Sequence, residues 1–214
     1  MPKTIQIEGN IGVGKSTFTN LLKENITNSE LVSEPVDMWL HVKNTDGKNI
    51  LQTFYDDIPR WAYTFQNIAY VTRMMKIERA IRNSTSDYVF LDRSIDTDRY
   101  VFEKMLWEEG QLQKIEHEAY ELWCHFYQEF VRTESDKKII YLKCSPEVCL
   151  DRIKIRGREE EKNITMEYLN KLHKAHEDWL NNNPCALILD CNKDFEHDEE
   201  YKKELLDKVR NFIN

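Results

Sequence analysis

The stretch Gly9-Asn10-Ile11-Gly12-Val13-Gly14-Lys15-Ser16 limits what this chain can fold into more than any other feature. It is preceded by the β-branched run Thr4–Ile7 and followed by a helix-forming stretch to about Lys23. The spacing G-x-x-x-x-G-K-[ST] carries meaning where a strand passes through a tight loop into a helix, and that context is present. Glycines let the backbone turn so that successive N–H groups point inward around an anion. The dipole of the following helix acts on the same spot. In that frame residues Gly9, Asn10, Ile11, Gly12, Val13 and Gly14 form a phosphate cradle. Lys15 reaches the β- and γ-phosphates, Ser16 ligates Mg²⁺, and Thr17 follows it in the first helical turn. A nucleoside triphosphate is the implied ligand; the loop leaves the phosphate acceptor open.

Composition removes several function classes. A chain of 214 residues suits one α/β domain. The net charge of −8 argues against a broad nucleic-acid face, which needs excess Lys and Arg. Mean hydropathy is −0.67 and no apolar run approaches membrane-spanning length, so no membrane partner is expected. The opening Met-Pro-Lys-Thr leads straight into the first strand and leaves no room for a leader peptide. The five cysteines include no C-x-x-C pair, which points to reduced thiols in a cytoplasmic protein rather than a zinc or disulfide framework.

Short apolar runs predict strands at Thr4–Glu8, Glu30–Ser33, Tyr88–Leu91, Ile139–Leu142 and Leu187–Leu189. Helical patterns predict Lys15–Glu24, Trp61–Arg82, Asp96–Glu108, Leu112–Thr133, Pro146–Ile155, Met166–Asn181 and Glu199–Phe212. Alternation of the two implies an α/β fold with a five-stranded parallel sheet flanked by helices. The long gap between the second and third strands reads as mostly helical substrate-binding structure, with Asn44–Asn49 as a polar loop.

Further groups carry candidate chemistry. Glu34-Pro-Val-Asp-Met-Trp39 ends the second strand, where ligands sit in doubly wound sheets. Glu34 there suits a general base and Trp39 a wall for a flat ligand, although a surface acid before a turn reads the same way. Asp92-Arg93-Ser94 ends the third strand: an acid to hold Mg²⁺ and a guanidinium for phosphate or a carboxylate. Arg152, Arg156 and Arg158, running into Glu159–Glu161, suit the charge that builds up in phosphoryl transfer, or simply form a solvated helix. Phe65, Gln66 and Arg73 share one helix and Asp98 and Phe102 another; polar edges and flat rings suit a nucleobase or a mixed core. His173 and His176 lack a third ligand and read as helix-surface or packing residues.

Taken jointly, these segments resemble the deoxynucleoside kinase family over nearly the whole chain and in the same order. The carrying motifs are the phosphate loop Gly9–Ser16, the E-P-V-x-x-W motif Glu34–Trp39 and Asp92-Arg-Ser followed by Asp98-Arg-Tyr100. The segment Ile139–Cys149, the lid motif Arg152 to Glu161, and Tyr168–Leu180 add to it. The resemblance implies a P-loop nucleoside kinase fold, a single domain over residues 1–214 with a lid at about 152–163, and a homodimer. It implies ATP and Mg²⁺ as cofactors and a deoxynucleoside as partner. Glu34 would be the base that activates the 5′-hydroxyl, Arg93 would orient it, and Arg152, Arg156 and Arg158 would close over the donor phosphates. Tyr55 and Glu161 match the 3′-hydroxyl binders. Gln66 matches the base-binding glutamine, lined by Phe65, Phe102 and Trp39. Arg73 and Asp98 occupy the pair that marks members preferring cytidine and purines over thymidine. Asp194 and Phe195 match the loop beside the donor's base, and Ser16 and Asp92 the Mg²⁺ site. The family usually has Glu where this chain has Asp92, so contact with the metal through water is expected. A monophosphate kinase would need an arginine-rich acceptor site instead. A catalytically dead binding subunit would not need Lys15, Ser16, Glu34 and Arg93 together.

Overall fold

Strand β1 (Lys3–Glu8) lies at the centre of a five-stranded parallel sheet of order β2-β3-β1-β4-β5. Its neighbours are β3 (Tyr88–Asp92) and β4 (Lys138–Lys143); β2 (Ser29–Val32) and β5 (Ala186–Asp190) form the edges. The structure is a computed structural model that describes residues 2–131, 138–158, 161–162 and 164–214. This is the expected α/β architecture. The strand order reverses at β1, and the crevice beyond the carboxyl ends of such strands is where ligands bind. Register puts Asp92 beside Ile7 and Tyr141 beside Glu8, so three strand ends meet at the glycine loop.

Both sheet faces are covered. On one side α1 (Lys15–Asn25), α8 (Pro146–Arg156) and α10 (Glu199–Ile213) bury Phe18, Leu22, Ile153, Leu205 and Val209 against Ile5, Ile7 and Ile140. On the other side α4 (Ile58–Asn83) and α7 (Lys114–Phe126) pack Tyr70, Ile77, Tyr120 and Cys124 on Val32, Val89 and Leu91. A further cluster gathers Trp39, Phe54, Phe65, Val101 and Leu172 beyond the strand ends.

Helix boundaries differ from the sequence expectation where capping decides them. α4 starts three residues before Trp61 because Asp57 accepts from the Arg60 amide at 3.3 Å and Pro59 fits the first turn. The segment between β2 and α4 holds two short helices that periodicity does not resolve, α2 (Val36–His41) and α3 (Ile50–Asp56); α3 is opened by an Asn49–Gln52 capping box. The expected helix Asp96–Glu108 is α5 (Ile95–Thr97), a widened stretch Asp98–Glu103 and α6 (Lys104–Glu108). The helix expected over Leu112–Thr133 is α7 extended by a widened stretch Tyr127–Val131, and Arg132 and Thr133 lie outside the described residues. α9 (Met166–Leu180) completes the set. No helix among the described residues is long and apolar enough to cross a membrane.

Candidate active site

The glycine loop closes over the end of β1 as its spacing requires. Gly12 has φ +81, and a Cβ there would lie 2.4 Å from the Cys149 carbonyl oxygen, so no other residue fits. Asn10 holds the loop by donating to the Leu169 carbonyl at 3.0 Å and accepting from the Ile11 amide at 2.8 Å. Lys15 donates to the carbonyls of Gly9 and Asn10 at 3.0 and 2.9 Å. Burial, and next the charge of Arg93, pull its ammonium down to about 7. An anion in the cradle would favour the charged form. Ser16 Oγ donates to Asp92 Oδ2 at 3.3 Å, and the buried Asp92 Oδ1 has no hydrogen-bond partner among the described residues. This is an all-oxygen donor set of the kind a hard divalent cation takes.

Glu34 stands between two guanidiniums. Arg93 Nη1 donates to its Oε1 at 2.7 Å and Arg73 Nη2 to the same oxygen at 3.0 Å. Burial works to raise the carboxyl, but Arg93 first, then Arg73 and Lys15, hold it down at about 2. Arg73 is itself gripped by Asp98, Nε to Oδ2 at 2.7 Å and Nη2 to Oδ1 at 3.2 Å. Both side chains are almost fully buried. Burial pushes the Asp98 carboxyl up, and Arg73 opposes it.

These groups open onto one cavity of about 450 Å³. Trp39, Phe65 and Phe102 supply flat apolar walls; Trp39 is fixed by its indole N–H on Thr72 Oγ1 at 2.9 Å and by an edge contact with Phe65. Gln66, Arg73 and Asp98 also line the cavity, and the buried Gln66 Oε1 has no partner among the described residues. Tyr55, Arg156, Arg158 and Glu161 line it as well. Glu161 takes Arg156 in a bidentate pair, with contacts of 2.7 and 3.1 Å. Of the lid motif, Glu159, Glu160 and Asn163 lie outside the described residues.

Other expected residues sit apart from the cavity lining. Arg152 points to the loop, donating to the Val13 carbonyl at 2.9 Å. Phe195 is buried edge-on to Phe18, with its ring next to Gly14. Asp194 is exposed and binds His197. His176 is fully buried, stacked parallel to Tyr141 and donating to the Leu172 carbonyl, which is a packing role. Sequence reasoning passed over Leu51, Phe54 and Tyr168, which also line the cavity. Aromatic residues carry no local mark that separates a core position from a cavity wall.

Known proteins of one kind match this chain over nearly its whole length. A family model described as deoxynucleoside kinase matches residues 5–214. Rat deoxycytidine kinase is 36% identical over 240 residues, covering 99% of this chain and 91% of the relative. The mitochondrial deoxyguanosine kinase of Xenopus laevis is 34% identical over 237 residues, covering 99% and 89%. A probable deoxycytidine kinase of fowlpox virus is 36% identical over 218 residues, covering 99% and 88%.

Proposed function

The chain belongs to the deoxynucleoside kinase family and is an ATP-dependent deoxynucleoside kinase; on that premise we propose that it phosphorylates deoxycytidine and deoxypurines better than thymidine. We read it as a single domain with a lid at about 152–163. Glu34 takes the proton of the 5′-hydroxyl, and Arg93 holds Glu34 and meets the transferring phosphoryl group. Lys15 and the amides of Gly9–Gly14 bind the donor phosphates, with Arg152, Arg156 and Arg158 adding positive charge as it builds up. Asp194 and Phe195 flank the donor's base. Tyr55 and Glu161 bind the sugar 3′-hydroxyl, for which Arg156 releases Glu161. Ser16 and Asp92 would hold Mg²⁺, Asp92 through water because its side chain is short. The ion would supply neutralisation of phosphate charge.

The observation that carries the base preference is the Arg73–Asp98 pair beside Gln66. Arg73 uses one lone pair on each Asp98 oxygen, which leaves acceptor capacity for an exocyclic amino group. Thymine presents a carbonyl there, which leaves a buried carboxylate facing an acceptor at a cost of about 1–3 kcal/mol. A panel of deoxynucleosides at fixed ATP should therefore give thymidine a kcat/KM about 10–100-fold below that of deoxycytidine. A wild-type preference for thymidine would overturn this reading of the pair and leave the kinase assignment standing.

We also place the protein in the cytoplasm, in keeping with its free cysteines, and as a homodimer. Helix α7 exposes Ile115, Leu122, Trp123 and Phe126, and α4, packed beside it, exposes Met75. Apolar side chains seven and four residues apart make one helix face, which a second copy would cover. Sedimentation velocity should show a wild-type dimer and a monomeric Leu122→Glu/Trp123→Glu variant; a wild-type monomer would end the proposal.

A further inference from the structure

We propose that Glu8 is a positioning residue that sets Arg93 and Asp98 in place by anchoring both ends of the turn between them, Ser94–Thr97. The proposal rests on the roles given above to Arg93 and Asp98. Strand β1 is the central strand of the sheet, whose two faces are covered by helices. Ile5 and Ile7 enter the apolar core on one face. Gln6 and Glu8 point the other way and are still buried, where an interior parallel strand ordinarily carries apolar side chains. A fully buried carboxylate needs hydrogen-bond donors. Glu8 Oε1 accepts from the Ser94 amide at 3.0 Å and from Ser94 Oγ at 2.7 Å, and Oε2 accepts from Thr97 Oγ1. No salt bridge to Glu8 is formed among the described residues. Burial pushes its carboxyl up to about 7, against the pull of Thr97, Ser94 and the two arginines. Apolar side chains at positions 8, 94 and 97 together would fill this space without burying a carboxyl group.

The anchored turn explains the choice. Arg93 has φ +65, the left-handed region that a long side chain adopts only under constraint. That conformation swings the next amide, Ser94 N–H, toward Glu8 and the Arg93 side chain toward Glu34 and the Gly9 carbonyl. At the other end, Thr97 immediately precedes Asp98, which grips Arg73. One carboxylate thus binds the residue next to each of the two that fix Glu34 and the base-reading pair, through amide and hydroxyl at Ser94 and through the hydroxyl at Thr97.

The test uses the intact enzyme. Glu8→Leu fills the buried volume and removes every acceptor; kcat should fall about 10–100-fold, the usual result of a misplaced catalytic group. The Kd of ATP should move by less than about threefold, since the loop amides and Lys15 stay in place and Arg93 meets the phosphoryl group during transfer. Glu8→Gln keeps an acceptor for Ser94 and should recover most of kcat. In an Arg93→Ala background, Glu8→Leu should add little further loss, because both act through one group. A folded Glu8→Leu enzyme with wild-type kcat, or a loss that multiplies in full with Arg93→Ala, would overturn the proposal. If Glu8→Leu does not fold, Ser94→Ala and Thr97→Val carry the test. The first should lower kcat, and the second should narrow the deoxycytidine-to-thymidine ratio about tenfold; wild-type behaviour of both would sink the idea. Failure of the underlying kinase roles would show separately, as an unimpaired Arg93→Ala enzyme.

Discussion

Glu34→Gln is expected to lower kcat by about 10²–10⁴-fold while nucleoside binding changes little. The substitution keeps size and an acceptor oxygen for Arg93 and Arg73, now at 2.7 and 3.0 Å, but removes the ionised oxygen that can take a proton. The fold should tolerate it, because Arg73 keeps its two contacts with Asp98. The guanidiniums hold Glu34 at about 2, so it is a weak base that is always ionised. That suits a loose phosphoryl transfer, in which the attacking hydroxyl becomes acidic only as its bond to phosphorus forms. The base must be charged and in place rather than strongly basic. With its carboxyl held so low, Glu34 should contribute no acid limb to the kcat profile above about pH 4. Steady-state kinetics with calorimetry of nucleoside binding would check both points. Near-normal kcat in Glu34→Gln rules the residue out as the base.

The second large effect concerns the buried pair. Asp98→Ala alone leaves Arg73, among the described residues, with Glu34 as its one carboxylate partner and the Asp92 carbonyl at 3.4 Å, and should cost about 3 kcal/mol, the low end for breaking a buried pair. Adding Arg73→Met should return much of that stability. The Arg73 guanidinium already lies 5.8 Å from the centre of the Trp39 ring, beside an apolar wall that a thioether can extend. The double variant should also accept thymidine, since no buried carboxylate then faces its carbonyl. Urea unfolding of the single and double variants, with kcat/KM for deoxycytidine and thymidine, gives the answer. An unchanged ratio in a folded double variant would remove the pair from base selection. A double variant less stable than Asp98→Ala would show that the charge was not the cost.

Local chemistry was readable in the chain. The loop Gly9–Ser16 declares itself because its spacing between a strand and a helix is local, and its function follows from a few adjacent amides. The apolar runs of β3 and β4 mark a buried parallel sheet because both faces must be covered. Motif order extended this to a family and to the pairing of Arg73 with Asp98. The short helices α2 and α3 escaped because six or seven residues carry too little periodicity to register, and only the Asn49–Gln52 box hinted at α3.

Other features belong to the tertiary structure alone. The charged run 152–161 divides between tasks that its spacing does not reveal, Arg152 on the glycine loop and Arg156 on Glu161. Phe195 looks like a loop aromatic in sequence, yet its ring is closed in against Phe18. Glu8 ends the predicted strand Thr4–Glu8 with no mark of its surroundings; only the packing of the sheet face and the turn at Arg93 place it among hydroxyls 86 and 89 residues away. Sequence determines what depends on neighbours along the backbone. Which distant groups share one oxygen, as Arg73 and Arg93 share Glu34 Oε1, is decided by how the layers pack.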